Sequence, residues 1–108
     1  YWAEITEARR LIDLPQALGL RDLHVWTDTT IAERFDWGRE EGIWVLILRV
    51  YRLPQAVELP MLPEYGGCKS WIELQASIDT RGSVPVVADS DWNHYLGAIT
   101  ERLGTSAA

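Results

Sequence analysis

Residues 42–59, GIWVLILRVYRLPQAVEL, decide the fold that this sequence predicts. Residues 43–48 are all apolar and rich in β-branched and aromatic side chains, which is typical of a strand covered on both faces. Arg49 and Arg52 differ by an odd number of positions, so they should point to opposite faces where the strand leaves the core. Pro54 should end the ladder pairing. We therefore expect a central strand that is buried on both sides.

Length and composition predict one compact domain. The 108 residues include 47% hydrophobic residues and six tryptophans, which suffice for a core. Ten basic against 16 acidic residues give a net charge of −6, which repels a polyanion at long range. General affinity for nucleic acids is therefore disfavoured, whereas the net charge does not exclude a local basic pocket.

The cysteine and histidine content predicts no disulfide, no metal and no cofactor. One cysteine cannot form an internal disulfide, and with two distant histidines it has no zinc-binding spacing. No run approaches the roughly 18 apolar residues of a membrane span, and the first residues do not show a basic segment followed by an apolar one. We expect a cytoplasmic protein with no membrane association. Because the chain starts at Tyr1 in strand-like sequence, we expect it to be the C-terminal part of a longer protein.

The residues before the central strand predict a pairing strand and two helical segments. Residues 2–8 alternate as a half-exposed strand that pairs with the central one. Asp13 can cap a short helical turn that Gly19 ends. Thr27 can cap a crossover helix over residues 28–35.

The residues after the central strand predict a loop, a strand and a helix. Residues 59–67 contain two prolines and two glycines, residues 68–74 alternate like a further strand, and residues 84–88 suit a brief extended segment. Asp89 or Ser90 should cap the last helix, and Gly104 should end it. Its apolar stripe, expected to pack on the core, consists of Trp92, Tyr95, Leu96, Ile99 and Leu103.

These elements predict an α+β domain over residues 1–104 and a disordered tail at residues 105–108. The sheet is expected to be mostly antiparallel and either open or barrel-like. A short crossover helix and a packed C-terminal helix complete the expected fold.

Three blocks of sequence carry a resemblance to a known family. They are HVWT at residues 24–27, LRVYRLPQ at residues 48–55 and LPEYGGCKSWIEL at residues 62–74. In this order they resemble the uncharacterised bacterial domain-of-unknown-function family that is common in cyanobacteria. The resemblance covers nearly the whole chain, implies a further N-terminal region, and implies no established activity.

A weaker likeness is to the PUA-like superfamily, including its EVE branch. It rests on a strand of the type WAEITE at residues 2–7, followed by a helix and a long strand that ends in LPQAVEL at residues 53–59. This likeness implies a small β-barrel that binds modified bases or RNA.

The first candidate site is the cluster His24, Trp26, Thr27 and Asp28. A histidine beside a carboxylate could form an acid–base pair, because the carboxylate would raise the pKa of the imidazole. In the simpler interpretation, Thr27 and Asp28 cap a helix and His24 packs at its start. At the end of the central strand, Arg49 and Arg52 are either solvated charges or contacts for a phosphate or carboxylate.

The second candidate site lies between residues 65 and 71. Tyr65 and Trp71 offer stacking planes around two glycines that allow close backbone approach, although a tight turn pinned by aromatic packing explains the same residues. Cys68 and Lys69 would point to opposite faces of a strand, so Lys69 could not activate the thiol directly. We expect Cys68 to be a buried structural thiol.

Three functional hypotheses follow. The favoured one is a binding module for a nucleobase-like or nucleic-acid ligand, in which Trp26, Tyr65 and Trp71 stack and the basic residues supply charge. The alternatives are a small enzyme that uses His24, Asp28 and Cys68, and a purely structural interaction domain. An enzyme requires His24 within hydrogen-bond reach of Asp28 or Cys68, whereas a binder requires aromatic residues around a concavity.

Overall fold

The computed structural model describes residues 1–104. Within them the strands are β1 (Trp2–Leu11), β2 (Ile43–Arg52) and β3 (Val84–Pro85), and the helices are α1 (Leu14–Leu18), α2 (Asp28–Phe35) and α3 (Asp89–Leu103). Short 3-10 turns occupy Arg21–Leu23 and Pro63–Tyr65. β2 lies between β1 and β3 in one antiparallel sheet. The α+β class is confirmed, and the sheet is open rather than closed into a barrel.

A bulge in β1 sets which residues share a face of the sheet. The register with β2 shifts between Ile5 and Glu7, which leaves Thr6 as the extra residue. The hydroxyl of Thr6 donates a hydrogen bond to the carbonyl of Ile47 at 3.0 Å. Because side chains alternate, the bulge brings Ala8 onto the same face as Ile5, and both lie opposite even-numbered residues of β2.

β2 buries one face only, so the prediction of double-sided burial is wrong. Ile47 on the inner face is 7% exposed, whereas Trp44, Leu46 and Leu48 on the outer face are 60%, 48% and 42% exposed. The core that α1 and α3 help to form packs against the odd-numbered side of β2. None of the described elements buries the even-numbered side.

The core is small for a chain of this length. Leu11, Ala17 and Leu20 form its buried centre. Partly buried side chains surround them, namely Leu23, Ile31, Ile43, Val45 and Leu103. The chain exposes 8792 Å², whereas a compact folded chain of this length exposes about 6,100 Å². Much apolar surface therefore remains in contact with solvent.

Polar contacts hold the C-terminal end of α3 against the sheet and the first helices. The guanidinium of Arg9 donates to the carbonyls of Leu103 at 2.9 Å and Gly104 at 3.0 Å, where it also complements the negative end of the helix dipole. Arg102 forms an ion pair with Asp22. This hydrogen bond from Arg102 holds the pKa of Asp22 below its usual value.

The predicted helix caps have mixed outcomes. The hydroxyl of Thr27 accepts the backbone N–H three residues later at 3.1 Å, which confirms it as the cap of α2. Asp13 occupies the N-cap position of α1 without a side-chain hydrogen bond. Ala88, rather than Asp89 or Ser90, is the N-cap of α3.

The prediction of a strand at residues 68–74 is wrong, because these residues form bends and irregular structure. An alternating segment becomes a strand only if a neighbour supplies ladder partners, and no described strand pairs with this one. The extended segment predicted at residues 84–88 is confirmed in part as β3. The predicted tail at residues 105–108 lies outside the described residues.

Candidate ligand-binding groove

Two adjoining cavities run along one side of β2, and together we call them the β2 groove. The first has a volume of about 270 Å³, and its lining includes His24, Trp26, Thr30, Ile31, Arg34 and Trp44. The second has a volume of about 290 Å³, and its lining includes Leu23, Ile47, Leu48, Trp92, Tyr95 and Ile99. Both share Leu20, His24, Val45 and Leu46. Because residues from both faces of β2 line the cavities, the groove lies alongside the edge of the strand.

This edge of β2 carries backbone groups without a partner strand. The carbonyl of Val50 accepts the N–H of Val86 at 3.0 Å, so the backbone groups of Val50 face the edge where β3 lies. In an antiparallel sheet the direction of the backbone N–H and C=O groups alternates along the strand. The backbone groups of Trp44, Leu46 and Leu48 therefore face the same edge as those of Val50. β3 is only two residues long, and no other described strand continues along this edge.

The cluster His24 to Asp28 does not form an acid–base pair in the described structure. Nδ1 of His24 accepts the backbone N–H of Trp26 at 3.0 Å, which orients the imidazole ring. The carboxylate of Asp28 forms an ion pair with Arg21 at 3.1 Å instead. The arrangement therefore matches the capping interpretation better than the enzyme hypothesis, which needs a hydrogen bond between His24 and Asp28 or Cys68.

The lining of the first cavity combines aromatic and polar side chains. Trp26 is 61% exposed and lines the cavity. Arg34 also lines the cavity and lies 5.9 Å from the ring of Trp37. A mainly apolar concavity with a few polar groups at its rim is the usual form of a small-molecule site.

Arg49 and Arg52 lie on opposite faces of β2, as the sequence predicts, and only Arg49 is tied to other elements. Its guanidinium donates to the carbonyl of Val87 at 3.3 Å and pairs with Asp89. It also lies 5.3 Å from the ring of Trp92. Nε of Arg49 is buried and has no hydrogen-bond partner among the described atoms. Arg49 thus joins the start of α3 to the sheet, whereas Arg52 is exposed.

The second candidate site, residues 65–71, is held by hydrogen bonds within its own segment of the chain. The hydroxyl of Tyr65 accepts the backbone N–H of Gln75 at 2.9 Å, which pins the loop as the tight-turn interpretation expects. Nζ of Lys69 donates to a carbonyl within the same loop at 3.2 Å, and Trp71 is 88% exposed. None of these side chains lines the β2 groove. Their part in binding stays a prediction.

Cys68 is exposed, so the prediction of a buried thiol is wrong. It follows an irregular turn rather than a strand, and no packed layer covers it. We expect a thiol-reactive dye at neutral pH to label Cys68 in the native protein within about fivefold of its rate in the urea-unfolded chain, because exposure rather than folding limits access. Absorbance kinetics of the dye in both states measure this. Native labelling slower by orders of magnitude would show that the thiol is covered.

Sequence reasoning missed most of the groove. Ile31 gives an apolar signal at helical spacing, and the stripe on α3 includes Tyr95 and Ile99, but these patterns predict core packing rather than a cavity wall. Leu46 was expected inside a buried strand. Only the assembled fold shows that these side chains border an open space.

The fold and the groove define a small α+β domain whose open antiparallel sheet presents a ligand-sized groove at one strand edge. The chain belongs to the family described as a domain of unknown function (DUF1802), whose model matches residues 1–97. No curated protein and no solved structure matches the chain. Membership of an uncharacterised domain family is thereby confirmed, whereas the PUA-like likeness is not shown.

Two findings concern residues 1–104 alone. No helix in this part of the chain is both long and apolar enough to cross a bilayer. The same residues contain no group of three or more His, Cys, Asp or Glu side chains placed to hold a metal ion.

Proposed function

We propose that this domain is a binding module that holds a nucleobase-like group, free or within a nucleic acid, in the first cavity of the β2 groove. The observation that supports this proposal is that Trp26 and His24 line a mainly apolar cavity of about 270 Å³. A planar base fits such a space if it stacks on the indole.

The strand edge adds hydrogen-bonding capacity to the stacking plane. Trp44 directs one N–H and one C=O toward the edge beside the cavity, and the rim of a nucleobase carries the complementary donor and acceptor groups. Thr30 and Arg34 lie at the same cavity, where they can reach a sugar hydroxyl or a phosphate. Apolar walls and a few polar groups together favour this class of ligand.

The net charge of the protein determines whether the base or the phosphates of a ligand contribute more to affinity. The net charge of −6 opposes long-range attraction of a polyanion. Binding should depend more on stacking than on the number of phosphates, so its affinity should fall only slightly as salt rises. The module would act in the cytoplasm, where its exposed thiol stays reduced.

Binding has more support than catalysis at this site. Nδ1 of His24 is engaged by a backbone N–H, and Asp28 is engaged by Arg21. A general base needs a free nitrogen directed at a substrate and a group that orients it. Neither Asp28 nor another described carboxylate is bonded to His24 in this role.

Titration of the four nucleosides and of short single-stranded oligonucleotides tests the proposal, with NMR chemical shifts as the readout. We expect shifts at His24, Trp26 and Trp44, and we expect Trp26→Ala to weaken binding by about 10- to 100-fold, as loss of one base–aromatic stack does. No shifts at these residues with any of these ligands would refute the proposal.

Trp71→Ala is the matched control for this titration, because Trp71 is an exposed tryptophan outside the groove. Equal affinity of this variant and the wild type places binding in the groove alone. A loss as large as that of Trp26→Ala would show instead that the second candidate site supplies a stacking plane, as the sequence predicts.

A further inference from the structure

We infer that the edge of β2 at Leu46 and Leu48 is a docking site for a β-strand. The occupant is an extended segment of a separate partner protein, with branched aliphatic residues on both of its faces. It would lie antiparallel to β2, in line with β3, and would cover the second cavity of the groove. This inference goes beyond the proposed function, which concerns the first cavity.

The backbone of β2 is the first step of the argument. Leu46 and Leu48 each direct one N–H and one C=O toward the open edge, so a neighbouring strand could form four hydrogen bonds there. The next position along the same edge already makes this kind of bond, because Val86 donates to Val50 at 3.0 Å. A docked strand would therefore continue a ladder that β3 begins.

The second cavity is the next step. A strand paired with Leu46 and Leu48 would direct alternate side chains toward the inner side of the sheet, where α3 forms one wall of the cavity of about 290 Å³. Its walls include Leu23, Tyr95 and Ile99. Such walls favour a leucine or isoleucine side chain and disfavour a charged one, which would be buried without a partner. The cavity thus has the position and chemistry of a side-chain pocket for a docked strand.

The outer face sets the other half of the occupant's chemistry. Leu46 and Leu48 are 48% and 42% exposed, and Ile5 on the neighbouring strand is 60% exposed. The remaining side chains of a docked strand would lie beside this apolar row. Natural edge strands are usually protected by lysine, proline or a bulge. Residues 43–48 of β2 have none of these, which is typical of a strand that has a neighbour on each side.

The exposed area of the chain leaves room for a partner. The chain exposes 8792 Å², which exceeds the value for a compact chain of this length by about 2,700 Å². A specific protein interface buries about 800 Å² on each partner. The surplus of the whole chain exceeds this area, and the exposed side chains of Leu46, Leu48 and Ile5 contribute to it. A strand is the occupant that forms hydrogen bonds with the unpaired backbone groups of the edge and also covers apolar surface on both faces of the sheet.

Hydrogen exchange with a synthetic peptide tests the inference. The probe is acetyl-Lys-Thr-Val-Ile-Val-Thr-Lys-amide, and the matched control has the same side chains but two consecutive N-methylated residues at its centre. The control cannot form a ladder through either edge, whereas its apolarity is nearly unchanged. We expect the probe to slow exchange of the Leu46 and Leu48 amides at least tenfold, and we expect the control to leave both rates within twofold.

The Ile47 amide is the internal reference, because it faces β1 and should be protected with or without the probe. Equal effects of probe and control, or no protection at Leu46 and Leu48, would overturn the inference. Protection of these amides that appears without peptide and rises with protein concentration would overturn the proposed occupant in favour of a second copy of this chain.

Discussion

Phe35→Ala should lower the free energy of unfolding by about 3–5 kcal/mol, the range for loss of a buried phenylalanine ring. Phe35 ends α2 and is only 3% exposed, so it is among the most buried side chains of the described structure. Its carbonyl accepts the N–H of Gly42 at 3.0 Å and closes the turn before β2. Alanine keeps this backbone bond, and therefore the substitution measures the ring alone. Urea denaturation, followed by tryptophan fluorescence, gives the change.

Trp37→Ala is the control, because Trp37 lies two residues later and is 79% exposed. Its loss removes the contact with Arg34 but little buried area, so we expect a change of about 1 kcal/mol or less. Equal effects of the two substitutions would show that the turn after α2 packs differently from the described structure.

Ile47→Ala should lower the free energy of unfolding by about 2–5 kcal/mol, because it removes buried methylenes and leaves a cavity. Ile47 is the buried residue of β2 at 7% exposure and faces the inner side of the sheet. The urea concentration at the midpoint of unfolding should fall, whereas the dependence of the unfolding free energy on urea should stay the same. This dependence follows the surface exposed on unfolding, which the substitution hardly changes.

Leu46→Ala is the matched comparison, and here the sequence and the structure predict different results. A strand buried on both faces would make Leu46 and Ile47 equally costly. Leu46 is 48% exposed, so we expect its truncation to cost about 1 kcal/mol. A loss as large as that of Ile47→Ala would mean that the outer face of β2 is covered in solution, which is what a docked partner would cause.

The elements that the sequence predicted well are those with strong local signals. Thr27 followed by apolar residues at helical spacing determines α2, because the cap and the buried stripe both lie within one short segment. The apolar run that begins at Ile43 determines β2, since only a strand satisfies its composition and length. The alternation at Trp2 to Ile5 determines the start of β1 in the same way. The bulge at Thr6 has no comparable signal.

The candidate site was predictable only in part. His24 and Trp26 were chosen for their chemistry, and the structure places both on the groove. The groove around them also depends on residues far away in sequence, such as Tyr95. The position of Tyr95 on an apolar stripe predicts packing and does not indicate whether the residue borders a cavity. Cys68 was expected to be buried because alternation predicted a strand, and the absence of a described ladder partner changed that outcome.

The sequence by itself determined the α+β class, the position of β2 and the helices beside it, because periodicity and capping act over a few residues. Only the tertiary structure decided that β2 packs on one face, that Arg9 and Arg102 hold α3, and that Leu46 and Leu48 border an open edge. These features depend on which elements become neighbours. A sequence pattern shows that a face is apolar, but burial requires a second surface, and the pattern does not say whether that surface is present.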